Sequence, residues 1–302
     1  MTGWAIAASG YTGATPVPDV TLGGTEYSGS AWTTLPGNPG YSGLDAFVTN
    51  VTSQMKTAIG SGSASPFSFS VSENVNNSGT DGEVLAIVYS NPSLPTSTVA
   101  FLDGTLPTTG ATTTINYSSP LTGVGTAGFS EVMSIGDGFS YQDNGSQQYS
   151  TISVNGRLLT SAAGGSDDDV SGGANGSGYN GDLITVGGIG DSTANPVDPT
   201  ATPATSRSDD ELYDLGQGNG VSSSPFVSNG DTSTVITTDN PSNNDNIFFI
   251  GLDVTASAGV DAPPPPPPSG SAPDAASTAG LLALVLAGVA FASKRIRLEQ
   301  SA

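Results

Sequence analysis

The sequence predicts an all-β protein: an antiparallel β-sandwich or jelly-roll-like domain, followed by a proline-rich linker and a C-terminal hydrophobic helix. Three observations indicate the β domain. About ten strand-sized segments rich in β-branched or aromatic residues recur between positions 17 and 254. Gly, Asn, Asp and Pro turn signals separate these segments. One segment alone in this region has a helical pattern, and short strands with almost no helix are typical of sandwiches and barrels.

The strand candidates differ in how strongly the pattern supports them. The run 84–89 (VLAIVY) is continuously apolar, which predicts a central strand covered on both faces. Asn155-Gly156 is the strongest hairpin signal in the chain, and 247–254 (IFFIGLDV) predicts a buried strand at the end of the domain. In chain order, the predicted strands are 20–22, 31–34, 67–71, 84–89, 98–102, 112–117, 129–135, 150–154, 157–160, 183–186, 233–238 and 247–254.

The best helix candidate is the segment 46–59 (AFVTNVTSQMKTAI). Its apolar residues Phe47, Val51, Met55 and Ile59 recur every four positions, so they share one face of a helix. Thr and Val weaken a helix because their branched side chains lose rotamer freedom there. A strand followed by one helical turn is therefore the alternative.

The N-terminal residues 1–10 do not fit a secretory signal peptide. Their apolar stretch, 4–8, is short and has no basic residue before it, whereas a signal needs a positive start and a longer apolar core. If the protein is exported, we expect its signal peptide to be missing and the true start to lie upstream, or the chain to be a fragment.

The charge of the chain is strongly unbalanced. There are 6 Lys and Arg against 27 Asp and Glu, a formal net charge of −21. Residues 1–262 contain three cations, Lys56, Arg157 and Arg207, against 25 acids, so their net charge is −22. Nucleic-acid binding needs Lys and Arg to displace counterions from the phosphates. The composition therefore excludes nucleic acid as a partner and favours solubility and cation binding.

The absence of two residue types excludes several chemistries. The chain contains no Cys and no His, so it has no thiol nucleophile, no disulfide and no thiolate or imidazole metal ligand. A serine nucleophile would have Lys56 as its candidate base, and no nucleophile-elbow motif occurs. We therefore expect that the protein is not an enzyme.

The C-terminal region has three successive parts. Residues 263–268 are six consecutive prolines, which predict an extended spacer. Residues 279–292 (AGLLALVLAGVAFA) are continuously apolar and, extended back through 275–278, reach the ~17–20 residues that span a bilayer. Lys294, Arg295 and Arg297 follow at once and predict a cytoplasmic membrane stop. A buried C-terminal helix of the domain is the alternative.

This order of short motif, apolar run and basic cluster resembles the PEP-CTERM class of bacterial sorting tails, and within it the variant with a Val-Pro-Asp-Ser-Gly motif. The resemblance places the sorting motif on Pro273, Asp274, Ser277 and Thr278. It implies export, transient retention in the inner membrane, and recognition by an exosortase-like processing enzyme. The chain departs from that variant at 272, where Ala replaces Val, and at 275–276, where Ala-Ala replaces Ser-Gly.

A looser resemblance covers parts of the body. Uncharacterised β-domains that precede such tails resemble four segments of this chain: 82–104, 182–190, 209–215 and 230–253. This resemblance implies no catalytic activity. The predicted organisation is a β-sandwich ectodomain at 1–257, a proline-rich linker at 258–272 and a sorting signal at 273–302.

Two acidic clusters suggest calcium as the candidate cofactor. They are Asp167, Asp168, Asp169 and Asp209, Asp210, Glu211, and the polar group 243–246 lies near the last predicted strand. Hard cations such as Ca²⁺ bind carboxylate, amide and carbonyl oxygens supplied by loops. Neither cluster has the spacing of an EF-hand, and solvated loop charges are the alternative.

Two carbohydrate-related functions are also open. A glycosidase needs two carboxylates on opposite sides of a sugar, and Glu83 and Glu131 are the acids least typical of loops. A carbohydrate-binding module would instead stack aromatic residues on sugar rings, and the candidates for this are Trp32, Tyr41, Tyr141, Tyr149, Tyr179 and Tyr213. The alternative for each of these residues is an ordinary half-buried position in a β-strand.

The function that these observations predict is a non-catalytic, exported component of the cell surface or extracellular matrix, associated with exopolysaccharide or biofilm. The alternative is a carbohydrate-binding module that binds extracellular polysaccharide, and the most distant one is a secreted glycoside hydrolase.

Overall fold

The computed structural model confirms an antiparallel all-β fold. The chain divides into two units at Pro264, and all the residues that the structure describes lie in the first, Met1–Pro264. The structure describes residues 2–9, 17–35, 45–60, 67–73, 80–107, 109–138, 142–143, 146–147, 150–163, 184–189, 191–200, 211–241 and 246–260. Every strand pair recorded among these residues is antiparallel.

The described residues contain nineteen strands, one α-helix and a 3-10 helix at Gly29–Ala31. The helix is α1 (Thr52–Ile59). The strands are β1 (Thr2–Ser9), β2 (Val20–Leu22), β3 (Thr25–Tyr27), β4 (Thr33–Thr34), β5 (Asp45–Asn50), β6 (Val71–Glu73), β7 (Thr80–Val88), β8 (Thr98–Asp103), β9 (Ala111–Tyr117), β10 (Glu131–Gly138), β11 (Gln142–Asp143), β12 (Ser146–Gln147), β13 (Ser150–Val154), β14 (Arg157–Ala163), β15 (Ile184–Val186), β16 (Leu212–Asp214), β17 (Ser233–Asp239), β18 (Asn246–Val254) and β19 (Ala258–Val260).

The strands form four main sheets and one two-stranded ribbon, β11-β12. The outer sheet has the order β14-β13-β17-β9-β19, and the central sheet has the order β15-β10-β18-β8, with β16 also paired to β10. The N-terminal sheet has the order β4-β5-β1-β7, and the small sheet has the order β3-β2-β6. The last strand, β19, extends beyond position 257, where the sequence placed the end of the ectodomain.

The outer and central sheets pack face to face and share the largest apolar core. Alternate residues of β9, β10, β13, β17 and β18 point into it, as expected for strands with one face buried. The buried members contributed by these strands are Ile115, Tyr117, Met133, Ile135, Ile152, Val154, Ile236, Ile247, Ile250, Leu252 and Val254.

The N-terminal sheet is buried on both faces, which explains the continuous apolar run at 84–89. Along β7, Val84 and Ala86 belong to a core cluster shared with the central sheet. Leu85 and Ile87 pack instead on the cluster formed by the small sheet and α1. The predicted coverage on both faces is confirmed, but β7 lies at the end of its sheet rather than in the centre. The sheets therefore stack in the order outer, central, N-terminal, small.

A bulge in β18 brings two aromatic side chains to one face of the central sheet. The register with β10 shifts between Gly136 and Asp137, leaving Phe248 without an opposite residue. Phe248 and Phe249 therefore both join the cluster shared with the N-terminal sheet. A Cβ atom at Gly136 would lie 3.0 Å from the Phe249 Cβ and 3.2 Å from the Phe248 Cζ. Glycine at this position makes room for both rings.

The segment 46–59 is not one helix. Its first half is β5 and only Thr52–Ile59 is helical, as in the alternative of a strand followed by a helical turn. Phe47, Val51 and Met55 nevertheless belong to the same core cluster. The period of four therefore identified a shared buried face but not the conformation of its first half.

Most other strand predictions are confirmed. Of the predicted strand 31–34, only Thr33–Thr34 is a strand, and Ala31 belongs to the 3-10 helix. The segment 67–71 is a strand only from Val71 onward. The strand β1, which sequence patterns did not predict, lies between β5 and β7 in the N-terminal sheet. The Asn155-Gly156 hairpin is present, with φ of 51° at Asn155 and 75° at Gly156; positive φ at both positions is characteristic of a type I′ turn.

Candidate functional site

A polar cavity of about 580 Å³ opens beside the β13–β14 hairpin. Three segments line it: the hairpin turn, the loop that precedes β17, and the first residue of β17. The lining residues are Val154, Asn155, Arg157, Ser224, Pro225, Phe226, Ser228, Gly230, Asp231, Thr232 and Ser233. It is a shallow cavity, wide open to solvent, and its lining is more polar than is usual for small-molecule sites.

Arg157 is the cation of this cavity, and the protein holds its guanidinium in place. The guanidinium carbon lies 3.7 Å from the centroid of the Phe226 ring, a cation–π contact. Nη2 donates a hydrogen bond of 2.6 Å to the carbonyl oxygen of Ser224. Nε is buried and has no hydrogen-bond partner among the described residues. Burial lowers the pKa of Arg157, although an arginine stays charged at any physiological pH.

Two side chains fix the walls of the cavity. Asn155 Nδ2 donates to the carbonyl oxygen of Phe226 at 2.9 Å, and its Oδ1 accepts from the Val235 N–H at 2.9 Å. Asp231 Oδ2 accepts from the Ser228 N–H at 2.8 Å. These bonds tie the hairpin turn to the loop and to β17, so the cavity is formed before any ligand binds.

The second unusual group is a carboxyl buried in the core between the outer and central sheets. Glu131, the first residue of β10, is fully buried. Its Oε1 accepts hydrogen bonds from the hydroxyl groups of Tyr117, at 2.7 Å, and Thr234, at 2.9 Å. Those two hydroxyl oxygens also lie within hydrogen-bonding distance of each other; because each hydroxyl has a single proton, one that donates to the other no longer donates to Oε1. Oε2 is buried without a partner among the described residues.

Burial dominates the electrostatics of this carboxyl. Desolvation raises the pKa of Glu131 to about 7; the two hydroxyl donors oppose this shift, and the negative charges of Asp231 and Asp214 add to it. Desolvation, with Glu131 nearby, also raises the pKa of Tyr117. Because Glu131 is sealed from solvent, this carboxyl cannot touch a polymeric substrate, so the geometry does not support it as half of a glycosidase pair.

Most residues predicted for sorting and calcium binding lie outside the described residues. These are Pro273, Asp274, Ser277 and Thr278 of the sorting motif, Lys294, Arg295 and Arg297 of the membrane stop, and Asp167, Asp168, Asp169, Asp209 and Asp210 of the acidic clusters. Glu211 is described and is only 1% exposed. Among described residues, no group of three or more acidic side chains is placed to hold a metal ion. None of the described helices is long and apolar enough to cross a bilayer.

The aromatic residues predicted to stack on sugars do not serve that purpose where they are described. Trp32 and Tyr213 are both buried, at 7% and 0% exposure, and belong to core clusters. Trp32 also donates its indole N–H to the carbonyl oxygen of Tyr27 at 3.0 Å. Tyr41, Tyr141, Tyr149 and Tyr179 lie outside the described residues.

Sequence reasoning did not identify the cavity, although it found some of its parts. Arg157 stood out as one of three cations in residues 1–262, and it follows directly on the predicted hairpin turn. The opposite wall, 224–233, is about 70 positions away along the chain and has no motif. A lone arginine beside a type I′ turn in an acidic chain is the one local signal that pointed to this place.

Comparison of the chain with protein-family models, with curated protein sequences and with solved structures gave no match.

Proposed function

We propose that this protein is a non-catalytic, exported component of the bacterial cell surface or extracellular matrix, delivered by a PEP-CTERM-like sorting tail. The single observation that carries this proposal is the order of the C-terminal segments: six prolines at 263–268, the motif at 273–278, the apolar run 279–292 and the basic cluster. An exosortase-like enzyme is the processing partner, and the inner membrane holds the chain transiently.

Charge supports the same orientation. Lys294, Arg295 and Arg297 lie directly after the apolar run, and basic residues next to a membrane span stay on the cytoplasmic side. Residues 1–262, with a net charge of −22, then lie on the outer side. Their high negative charge keeps an exported protein soluble and opposes self-association.

We further assign the body to the β-sandwich class, with a jelly-roll-like arrangement of the outer and central sheets. Support comes from the shared core of these two antiparallel sheets. A sandwich of this kind resists unfolding without disulfides because its core is large and its strands are paired. We place the sorting signal at 273–302 and the proline-rich linker before it; the ectodomain extends beyond 257 to include β19 (Ala258–Val260), which pairs with β9.

The tail predicts a specific mature C-terminus. In the native host, we expect the secreted form to end between 273 and 277, because processing at the motif removes the apolar run and the basic cluster. Intact-mass spectrometry of protein from culture supernatant and from washed membranes measures this end. An uncut chain found only in membranes, still carrying Leu298 and Glu299, contradicts processing and makes the tail a permanent anchor.

Calcium remains the proposed cofactor of the acidic clusters. If Asp167–Asp169 or Asp209–Glu211 bind Ca²⁺ with the dissociation constant of extracellular sites, about 0.1–1 mM, then 10 mM Ca²⁺ stabilises the fold by roughly 1–3 kcal/mol. We expect the melting temperature to rise by several degrees in calcium compared with chelator. Magnesium at the same ionic strength is the control, and identical melts in all three conditions exclude calcium binding.

A carbohydrate-binding module is the second candidate function. The observation that favours it is the polar, preformed cavity around Arg157, not the aromatic residues that sequence suggested.

A further inference from the structure

We propose that the cavity around Arg157 binds a neutral saccharide unit of an extracellular polysaccharide. This inference deepens the proposed matrix function and rests on it for the source of the ligand. We assign binding to the Arg157 guanidinium and to the serine and threonine residues of the lining, with no aromatic ring stacked on the sugar.

The charge of the cavity points to a neutral ligand. Its lining contains one cation, Arg157, and one anion, Asp231. The structure shows no ion pair between Arg157 and a carboxylate of the described residues, so the two charges stay separate within the cavity. The surrounding body, 1–262, has a net charge of −22 and repels polyanions. A ligand with many hydroxyls and no charge can hydrogen-bond to both Arg157 and Asp231, and the negative charge of the body does not repel it.

The hydrogen-bonding groups fit a polyol. Arginine has five N–H donors in a rigid fork. In Arg157 one donates to the Ser224 carbonyl and the Nε–H is buried, so the three remaining N–H groups of the two Nη atoms are the donors for a ligand. The lining also includes four residues that carry hydroxyl groups, Ser224, Ser228, Thr232 and Ser233. Hydroxyls both donate and accept, as sugar hydroxyls do. Adjacent hydroxyl groups on one sugar ring can therefore accept hydrogen bonds from the guanidinium and exchange hydrogen bonds with the serine and threonine hydroxyls.

The apolar part of the lining is small and explains why stacking is not used. Phe226 is only 5% exposed because the Arg157 guanidinium lies over its ring. Val154 is fully buried, and Pro225 is the partly exposed apolar side chain of the cavity. The ring of Phe226 thus holds the arginine in position, and the arginine contacts the ligand.

The cavity is also preorganised. The hairpin turn, the Asn155 bonds and the Asp231–Ser228 bond hold its walls without a ligand. A preformed site loses less entropy on binding than a loop that must order. Weak recognition of one sugar unit becomes effective when a matrix polysaccharide repeats that unit many times.

The test is affinity electrophoresis of the full-length chain, in mild detergent, through gels containing single neutral polysaccharides: glucans, galactans, mannans and the neutral exopolysaccharide of the host. We expect at least one of them to retard the protein. Arg157→Gln is expected to weaken that retardation at least ~10-fold, the loss of a charged hydrogen bond. Lys56→Gln is the matched control, since it removes an exposed cation on α1, far from the lining, and is expected to change nothing.

A second variant covers the case in which Arg157→Gln does not fold. Thr232 is exposed, and its side chain makes no recorded hydrogen bond within the described residues. Thr232→Val keeps its shape and is expected to weaken retardation roughly threefold, the loss of one neutral hydrogen bond. Circular dichroism melts show whether each variant is folded.

A gel containing polygalacturonate, as the polyanion, is run beside the neutral polysaccharide gels. Three results overturn the inference. They are no retardation by any neutral polysaccharide; equal retardation of the wild type, Arg157→Gln and Thr232→Val; or Arg157-dependent retardation by polygalacturonate alone, which marks an anion site. The C-terminal mass of the secreted protein is measured in parallel. A processed tail without glycan retardation overturns this inference and leaves the sorting function intact, whereas retardation with an uncut tail does the reverse.

Discussion

Replacing Gly187 with alanine is expected to lower the free energy of unfolding by about 3 kcal/mol, the upper range for overpacking a closely packed site. Gly187 follows β15 at the point where two short strands share one edge of β10. The Ile135 carbonyl accepts from the Gly187 N–H at 3.1 Å, and the Ile135 N–H donates to the Glu211 carbonyl at 2.9 Å. Gly187 and Glu211 therefore meet end to end at Ile135.

A side chain has no room at this junction. A Cβ atom on Gly187 would lie 1.9 Å from the carbonyl oxygen of Glu211 and 2.5 Å from the Leu212 nitrogen. Both are backbone atoms held in place by pairing with β10. Relief of the clash therefore breaks the hydrogen bond of Gly187 or of Glu211 to Ile135. The hydroxyl of Ser134 also donates to the Gly187 carbonyl, and this bond is lost if Gly187 moves.

Urea unfolding followed by circular dichroism measures the effect. Gly128→Ala is the matched control, because Gly128 is exposed, lies in a turn without positive φ, and has no atom within 4 Å of a built Cβ. We expect the control to stay within about 0.5 kcal/mol of the wild type. Equal midpoints for the two variants would mean that β15 and β16 do not meet as closely as the structure shows.

The main strands were predictable because their signals are local. The runs that form β8, β9, β17 and β18 are apolar or β-branched and end at turn residues, and the Asn155-Gly156 turn requires only two adjacent positions. The strand β1 (TGWAIAAS) was missed because small residues dilute its apolar pattern. It is a strand because β5 and β7 pair with it on both sides, which is a long-range cause.

The candidate site was less predictable for the same physical reason. Arg157 and the hairpin turn are visible in the sequence, but Phe226 and Ser224, which position the guanidinium, come from a loop without a pattern. The aromatic residues marked for sugar stacking have polar, Gly- and Ser-rich surroundings in the sequence, yet Trp32 and Tyr213 are core residues. Local composition does not distinguish a buried aromatic from an exposed one when the sheets stack in several layers.

The buried Glu131 makes the stability of the protein depend on pH in an unusual direction. Its pKa is about 7 in the folded chain and about 4.3 in an unfolded one. Between these values the folded state binds more protons than the unfolded state, so stability falls as pH rises from about 4 to about 7. Over the full range between these two pKa values the difference corresponds to ~4 kcal/mol. Burial, with Glu73 nearby, raises the pKa of Glu83 to about 7 as well, which adds to the trend.

Glu131→Gln is expected to remove the contribution of Glu131 to this pH dependence and to leave that of Glu83. The amide oxygen still accepts from Tyr117 and Thr234, but glutamine has no ionised form to desolvate. The free energy of unfolding of the variant should therefore fall by ~3 kcal/mol less than that of the wild type between pH 5 and pH 8, and the variant should be the more stable protein at pH 8. Urea titrations across this range measure the difference. Glu26→Gln, at an exposed position of β3, is the control and should run parallel to the wild type; the same parallel course for Glu131→Gln shows that this carboxyl does not carry the effect.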